Sequence, residues 1–222
     1  MPATFNLLPI LNFLDNLCQN NYKTWFDTNR ADYESARSIF NGFIDYLIDE
    51  LRTSDNLQGL SAKECVARIY RDIRFSRDKS PYHMNFSAIV APGGRKSVTH
   101  GYYVSLQPHG QSLVAGGLYM PSSQQLNRFR QAIDQHAGEF KAITGNPAFV
   151  EQFGKVDGER LKTAPKGYDR AHPEIDLLQL KQVTVLHHFT DQQVLAGDFS
   201  EKVLTACRVM KPFVDYLNEV IQ

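Results

Sequence analysis

The sequence predicts an α+β fold, an antiparallel sheet of about five strands flanked by N-terminal and C-terminal helices. Three observations predict it. The hydrophobic period is helical over residues 6–52 and again after Pro121, and it is two-fold in between. The connections between the middle apolar runs are too short for helical crossovers, so those strands must pair antiparallel. Helical and strand periods are segregated along the chain rather than alternating. A single domain spanning residues 1–222 is expected, because a chain of this length can bury a large core.

The first helical stretch carries Leu7, Leu8, Leu11 and Leu14 on one face, and Gln19-Asn20-Asn21 interrupts it. Tyr33, Ala36, Phe40, Phe43, Leu47 and Leu51 then mark a long amphipathic helix, with Trp25 and Phe26 anchoring its start to the core. Strands are expected at 66–75, 85–91, 100–107 and 112–120. Pro108-His109-Gly110 closes a hairpin between the last two. Gly116-Gly117 inside a strand signals a bulge or a close backbone approach. After Pro121, Ser122 or Ser123 is a suitable N-cap for a helix that buries Leu126, Phe129, Ile133, Ala137 and Phe140. Asn146-Pro147 opens a shorter helix through Phe153, a Gly- and Pro-punctuated segment fills 154–180, and 181–190 reads as a strand. Ser200 is expected to cap a terminal helix that Pro212 kinks or divides.

Composition narrows the function classes. Twenty-four basic and twenty-four acidic side chains cancel, which argues against a general nucleic-acid or membrane-surface binder. The charge is uneven, however. Residues 68–96 hold seven Lys/Arg against two Asp. A local basic patch on a neutral protein suits a small anionic ligand better than a long polyanion. Three cysteines, Cys18, Cys65 and Cys207, without a C-x-x-C pair make neither a disulfide framework nor a zinc module. No apolar run is long enough to span a bilayer, and no secretory signal opens the chain, so a cytoplasmic protein with no membrane partner is expected.

The densest chemistry lies in residues 68–82, where five cations and two carboxylates are interleaved with Ile69, Ile73 and Phe75. As a strand this segment would bury the apolar side and present Arg68, Tyr70, Asp72 and Arg74 on the other. A guanidinium offers a fixed fork of donors that matches carboxylate or phosphate, so Arg68, Arg71 and Arg74 are candidate anion ligands, with Lys79 and Tyr82 beside them. Asp72 and Asp78 are candidate supporting residues. A structural alternative pairs Arg71 with Asp72 and Arg74 with Asp78 as salt bridges that fix a loop to the sheet.

A second cluster, residues 161–173, is a loop constrained by two prolines and a glycine. It displays Lys162, Tyr168, Asp169 and His172 as further supporting candidates. Asp169 and His172 are three residues apart, a spacing at which a carboxylate can orient an imidazole for acid–base work. The alternative is a surface loop with a helix cap at Asp169. The two clusters are expected to meet as opposite walls of one concave site.

The pattern R-x-x-R-D-x-R-F-x-x-D-K-x-P-Y at residues 68–82 resembles the signature of a mostly bacterial family of conserved hypothetical proteins, domain of unknown function 2461. The K-x-x-P-x-G-Y-D-x-x-H-P run at 162–173 resembles a second segment of it. The resemblance runs nearly the whole length. It implies that these positions cluster, and it implies no reaction.

Phosphate-loop, dinucleotide, nucleophile-elbow and zinc-protease motifs do not occur, so no cofactor and no metal is expected. His187 and His188 adjoin in a strand and therefore point to opposite faces. Two readings of function remain open. One is an anion-binding protein, extending to an enzyme acting on a phosphorylated or carboxylated small molecule. The other is a non-enzymatic interaction or scaffold protein whose Arg/Asp motif is a structural network. Local contact with nucleic acid is the reading that the neutral net charge disfavours.

Overall fold

The computed structural model describes residues 3–156 and 158–222. The fold is mixed α+β, with one antiparallel sheet of four strands and helices on both sides of it. The strands are β1 (Phe86–Val90), β2 (Tyr102–Leu106), β3 (Ser112–Leu118) and β4 (Val183–Phe189), in the spatial order β1-β2-β3-β4. The principal helices are α1 (Leu8–Gln19), α2 (Lys23–Thr28), α3 (Arg30–Leu51), α5 (Ser123–Thr144), α6 (Pro147–Phe153) and α9 (Phe199–Ile221). Single turns α4 (Ala62–Cys65), α7 (Ile175–Leu178) and α8 (Asp191–Val194) punctuate the loops. No helix among the described residues is long and apolar enough to cross a membrane.

The chain divides into two compact units. The first comprises Met1–Val98, Tyr103–Val114 and His188–Thr205. Its core is aromatic: Phe13 stacks near Phe86 with ring centres 6.1 Å apart, and Phe43 near Phe199 at 5.7 Å. The face of α3 that the periodicity predicts is buried, at Ala36, Phe40, Phe43, Leu47 and Leu51. Leu7, just before α1, and Leu11 and Leu14 on it are buried, but Leu8 is exposed. The Asn20-Asn21 break is real, and Trp25-Phe26 form a short helix of their own.

The second unit comprises Thr99–Tyr102, Ala115–His187 and Ala206–Gln222. Ser122 caps α5 in a reciprocal capping box with Gln125. Asn146 caps α6 by accepting from the Ala148 N–H. The Gly116-Gly117 pair marks a close approach: a Cβ on Gly116 would lie 2.4 Å from the Met210 sulfur, and one on Gly117 would lie 2.2 Å from the Val183 carbonyl oxygen. A buried guanidinium, Arg130, donates to the Leu178 and Leu180 carbonyls at 2.7 and 3.1 Å.

Three local expectations need correcting. The terminal helix starts at Phe199, so Ser200 lies in its first turn, where its hydroxyl donates to the Ala3 carbonyl at 2.8 Å. Pro212 does not divide α9, which runs from Phe199 to Ile221 without a break. The expected strand at 66–75 does not form a regular ladder. Antiparallel bridges join Val66 to Ala88 and Tyr70 to Tyr82. Four residue steps on one side therefore oppose six on the other. The two extra residues form a bulge within 83–87, and its Asn85 amide donates to the Tyr103 hydroxyl at 3.2 Å and the Ser105 hydroxyl at 2.8 Å.

Candidate functional site

The signature is an irregular hairpin in the first unit. Its arms pair through the Arg71 N–H to the Pro81 carbonyl (2.9 Å) and the His83 N–H to the Ile69 carbonyl (2.8 Å). Ile69 is buried in the core, but Ile73 is only partly covered. Phe75, expected on the buried face, is 95% exposed, because the pairing ends at Arg71 and the chain loops outward.

The loop is closed by its own charges. Arg74 grips Asp72 with two donors, Nε at 2.9 Å and Nη2 at 2.6 Å. Arg71 donates to the Asp78 carboxylate at 2.6 Å and to the Ser80 carbonyl at 2.9 Å. Lys79 Nζ donates to the Ile73 carbonyl at 2.9 Å. The salt bridges are thus crossed relative to the sequence expectation, with each arginine taking the other carboxylate. The Arg74 guanidinium also lies 5.9 Å from the exposed Phe75 ring. Surface pairs of this kind stabilise a fold little, because solvent screens both partners. They shape the loop more than they hold the domain together.

Both carboxylates are held in the ionised form. Arg74 keeps Asp72 below the ordinary carboxylate range. The Ser80 backbone N–H, the Ser80 side chain and then Arg71 bring Asp78 down to about 2. A carboxyl whose pKa is lowered in the folded state adds stability above its unfolded pKa and loses it as pH falls through the folded value. Urea unfolding followed from about pH 4 down to about pH 2 should therefore show the stability gap between the wild type and Asp78→Asn narrowing. A gap that stays constant over that window would mean that the Asp78 contacts are not linked to folding.

Tyr82 does not face the loop. It is 4% exposed, and its ring stacks on Phe26 with centres 4.0 Å apart and planes at 14°. The Asn21 amide clamps its backbone, accepting from the Tyr82 N–H at 3.1 Å and donating to the Tyr82 carbonyl at 3.0 Å. Arg68 and Arg77 are exposed and make no hydrogen bond or ion pair among the described residues. His83, not singled out from the sequence, lies in the field of Arg71 and Arg68. Burial first, and then those two charges, hold its imidazole below its ordinary pKa. The signal for it was its place directly after the signature.

The second cluster lies in the second unit. His172 is oriented by Asp134 of α5, at 3.0 Å from Nε2, and not by Asp169. Its Nδ1 accepts from the Glu174 N–H at 3.0 Å, so the ring proton sits on Nε2 and is donated to Asp134. Both ring nitrogens are thereby engaged. Asp169 caps its own loop by accepting from the Ala171 N–H at 2.7 Å. Tyr168 is partly buried with its ring edge-on to His172, and burial together with the nearby Asp134 carboxylate raises its phenol above the ordinary range. Lys162 is exposed. A Lys141–Glu174 pair at 2.8 Å adds a second tie between this loop and α5. The loop reads as a pinned structural element. No group of three metal-ligating side chains occurs among the described residues.

Over residues 9–216, the chain matches the model of a family described as conserved hypothetical protein, DUF2461. The chain belongs to the DUF2461 family. No curated relative and no solved structure matches it. The first unit of this DUF2461 protein also holds a concavity away from the signature. It is a cavity of about 300 Å³ between α1, Trp25 of α2 and the start of α3, and no residue of the signature lines it.

Proposed function

We propose that this DUF2461 protein binds an anionic ligand at the signature hairpin, against Arg68, Arg71 and His83, with Asp72, Arg74, Asp78 and Lys79 fixing the shape of the loop. The carrying observation is the charge left over once the loop is closed. Asp72 and Asp78 are each taken by one arginine, Arg68 makes no hydrogen bond or ion pair among the described residues, and burial, with the Arg71 and Arg68 charges added to it, disfavours a proton on His83. A phosphate or a carboxylate offers the missing negative charge in the geometry that guanidinium groups favour. Binding fits this arrangement better than acid–base catalysis. Carboxylates held ionised by strong donors are weak proton acceptors at neutral pH.

Inorganic phosphate, pyrophosphate and citrate are the probes. An anion on this site should raise the His83 pKa, read by NMR of the imidazole. It should also stabilise the fold by RT ln(1 + [L]/Kd), about 2.7 kcal/mol at a hundredfold excess over Kd. Arg68→Ala should abolish both responses. If none of the three anions moves His83 or the unfolding midpoint, the reading fails.

The exposure of Phe75 favours a second reading, an interaction protein whose rigid hairpin presents an aromatic side chain and the Arg77 charge to a partner. Phe75→Ala separates the two. It should leave the response to phosphate intact and weaken only the recognition of a macromolecule.

A further inference from the structure

We infer that the cavity between α1, α2 and α3 is a binding site for a neutral saccharide, with one sugar ring stacked on Trp25. This inference does not depend on the anion reading, because none of the hairpin residues lines the cavity.

The sequence places the site. Leu8, Asn12 and Asn16 recur at four-residue steps, so they share the face of α1 opposite the buried Ile10, Leu14 and Leu17. Asn29 lies at the junction of α2 and α3, and Asp32 and Ser35 follow on the first turns of α3. Trp25 and Phe13 form the apolar part, with ring centres 6.0 Å apart and planes at 32°.

The side chains of Asn12, Asn16, Asp32 and Ser35 line the cavity and make no hydrogen bond or ion pair among the described residues. All four are exposed, and for Asn12 and Asn16 that is an unfavourable choice for a merely solvated helix face. Asn is a weak helix former, and Lys, Glu or Gln at these interior positions of α1 would support the helix better. Trp25 is only partly covered and lines the cavity, so part of its ring is open to a ligand.

The donor set selects the ligand. Each amide both donates and accepts, and the Asp32 carboxylate offers two acceptor oxygens. No Lys, Arg or His lines the cavity, so an anion finds no countercharge there. Vicinal hydroxyls, which also donate and accept, match this lining. The C–H face of a pyranose suits the face of the indole. A cavity of about 300 Å³ is at the small end of ligand sites and of a size for a mono- or disaccharide.

Trp25 is the only tryptophan in the chain, so its fluorescence reports on this cavity. Glucose, galactose, mannose, N-acetylglucosamine, maltose, cellobiose and chitobiose are the probes, with adenosine and inorganic phosphate as controls. At least one saccharide should change Trp25 emission saturably. Asp32→Ala and Asn16→Ala should each weaken that saccharide by about tenfold or more. Asn16→Ala should not lower the unfolding midpoint, since alanine is the better helix former. Arg68→Ala should leave the saccharide response unchanged, which separates this site from the hairpin. No saturable response to any saccharide overturns the inference. So does a response that survives both substitutions, or one given by adenosine in place of the sugars.

Discussion

Gly117→Ala should lower folding stability by about 4 kcal/mol, from steric overlap and backbone strain together. The residue has φ +114, a conformation that side chains rarely adopt. A Cβ there would meet the Val183 carbonyl oxygen at 2.2 Å, the Phe213 ring at 3.0 Å and the Thr184 Cα at 3.1 Å. Two of these neighbours are backbone of β4, which cannot rotate aside. Gly167 is the internal control. It has φ +94 but nothing within 4 Å of its would-be Cβ, so alanine there should cost only the conformational part, about 1–2 kcal/mol. Urea unfolding of both variants checks the contrast through the midpoint, with the slope unchanged. Equal midpoints for the two variants would contradict the close approach of β3 to its neighbours.

The Gly116-Gly117 pair was legible in the sequence because a strand interior has few other uses for two glycines. The helices were legible for a related reason. Burying one face of α3 or α5 forces Phe40, Phe43 and Leu47, or Phe129, Ile133 and Phe140, into helical spacing. The β2–β3 hairpin was marked by its turn. His109 and Gly110 both take positive φ, and their N–H groups bond to the Asp191 carboxylate.

The signature was legible as a place but not as a geometry. Its period-two reading assumes an unbroken ladder. The bulge that breaks the ladder is tied to Tyr103 and Ser105 through Asn85, and nothing local to residues 68–82 encodes that. Once the chain leaves the sheet at Arg71, the turn decides which carboxylate each arginine meets. Arg74 reaches back two residues to Asp72, and Arg71 reaches across the loop to Asp78. Sequence proximity misleads for Arg71, whose nearest carboxylate is Asp72, whereas Arg74 does take the nearer one. His172 shows the same limit, since its carboxylate comes from Asp134, thirty-eight residues away on α5, and not from the nearby Asp169. The Asn-lined cavity was hidden for another reason. Its residues come from three helices, and each one alone reads as a surface amide or a helix break.

Tyr82→Ala should lower stability by about 3–5 kcal/mol, the range for deleting a buried aromatic ring, whereas Tyr82→Phe should change it by less than about 1 kcal/mol. The ring is stacked on Phe26 and lies 5.4 Å from Tyr70, so its packing is shared by α2 and the other arm of the hairpin. The Asn21 clamp acts on the Tyr82 backbone and survives either substitution. Arg74→Ala, which breaks an exposed pair, should by contrast leave the unfolding midpoint close to that of the wild type. Chemical denaturation of the three variants tests this order. The same variants then separate anchor from ligand contact. If Tyr82 anchors the hairpin, Tyr82→Phe keeps the full response of His83 to phosphate. If its hydroxyl holds the anion, Tyr82→Phe loses that response at unchanged stability, and the ring's place among the anchoring residues would have to be abandoned.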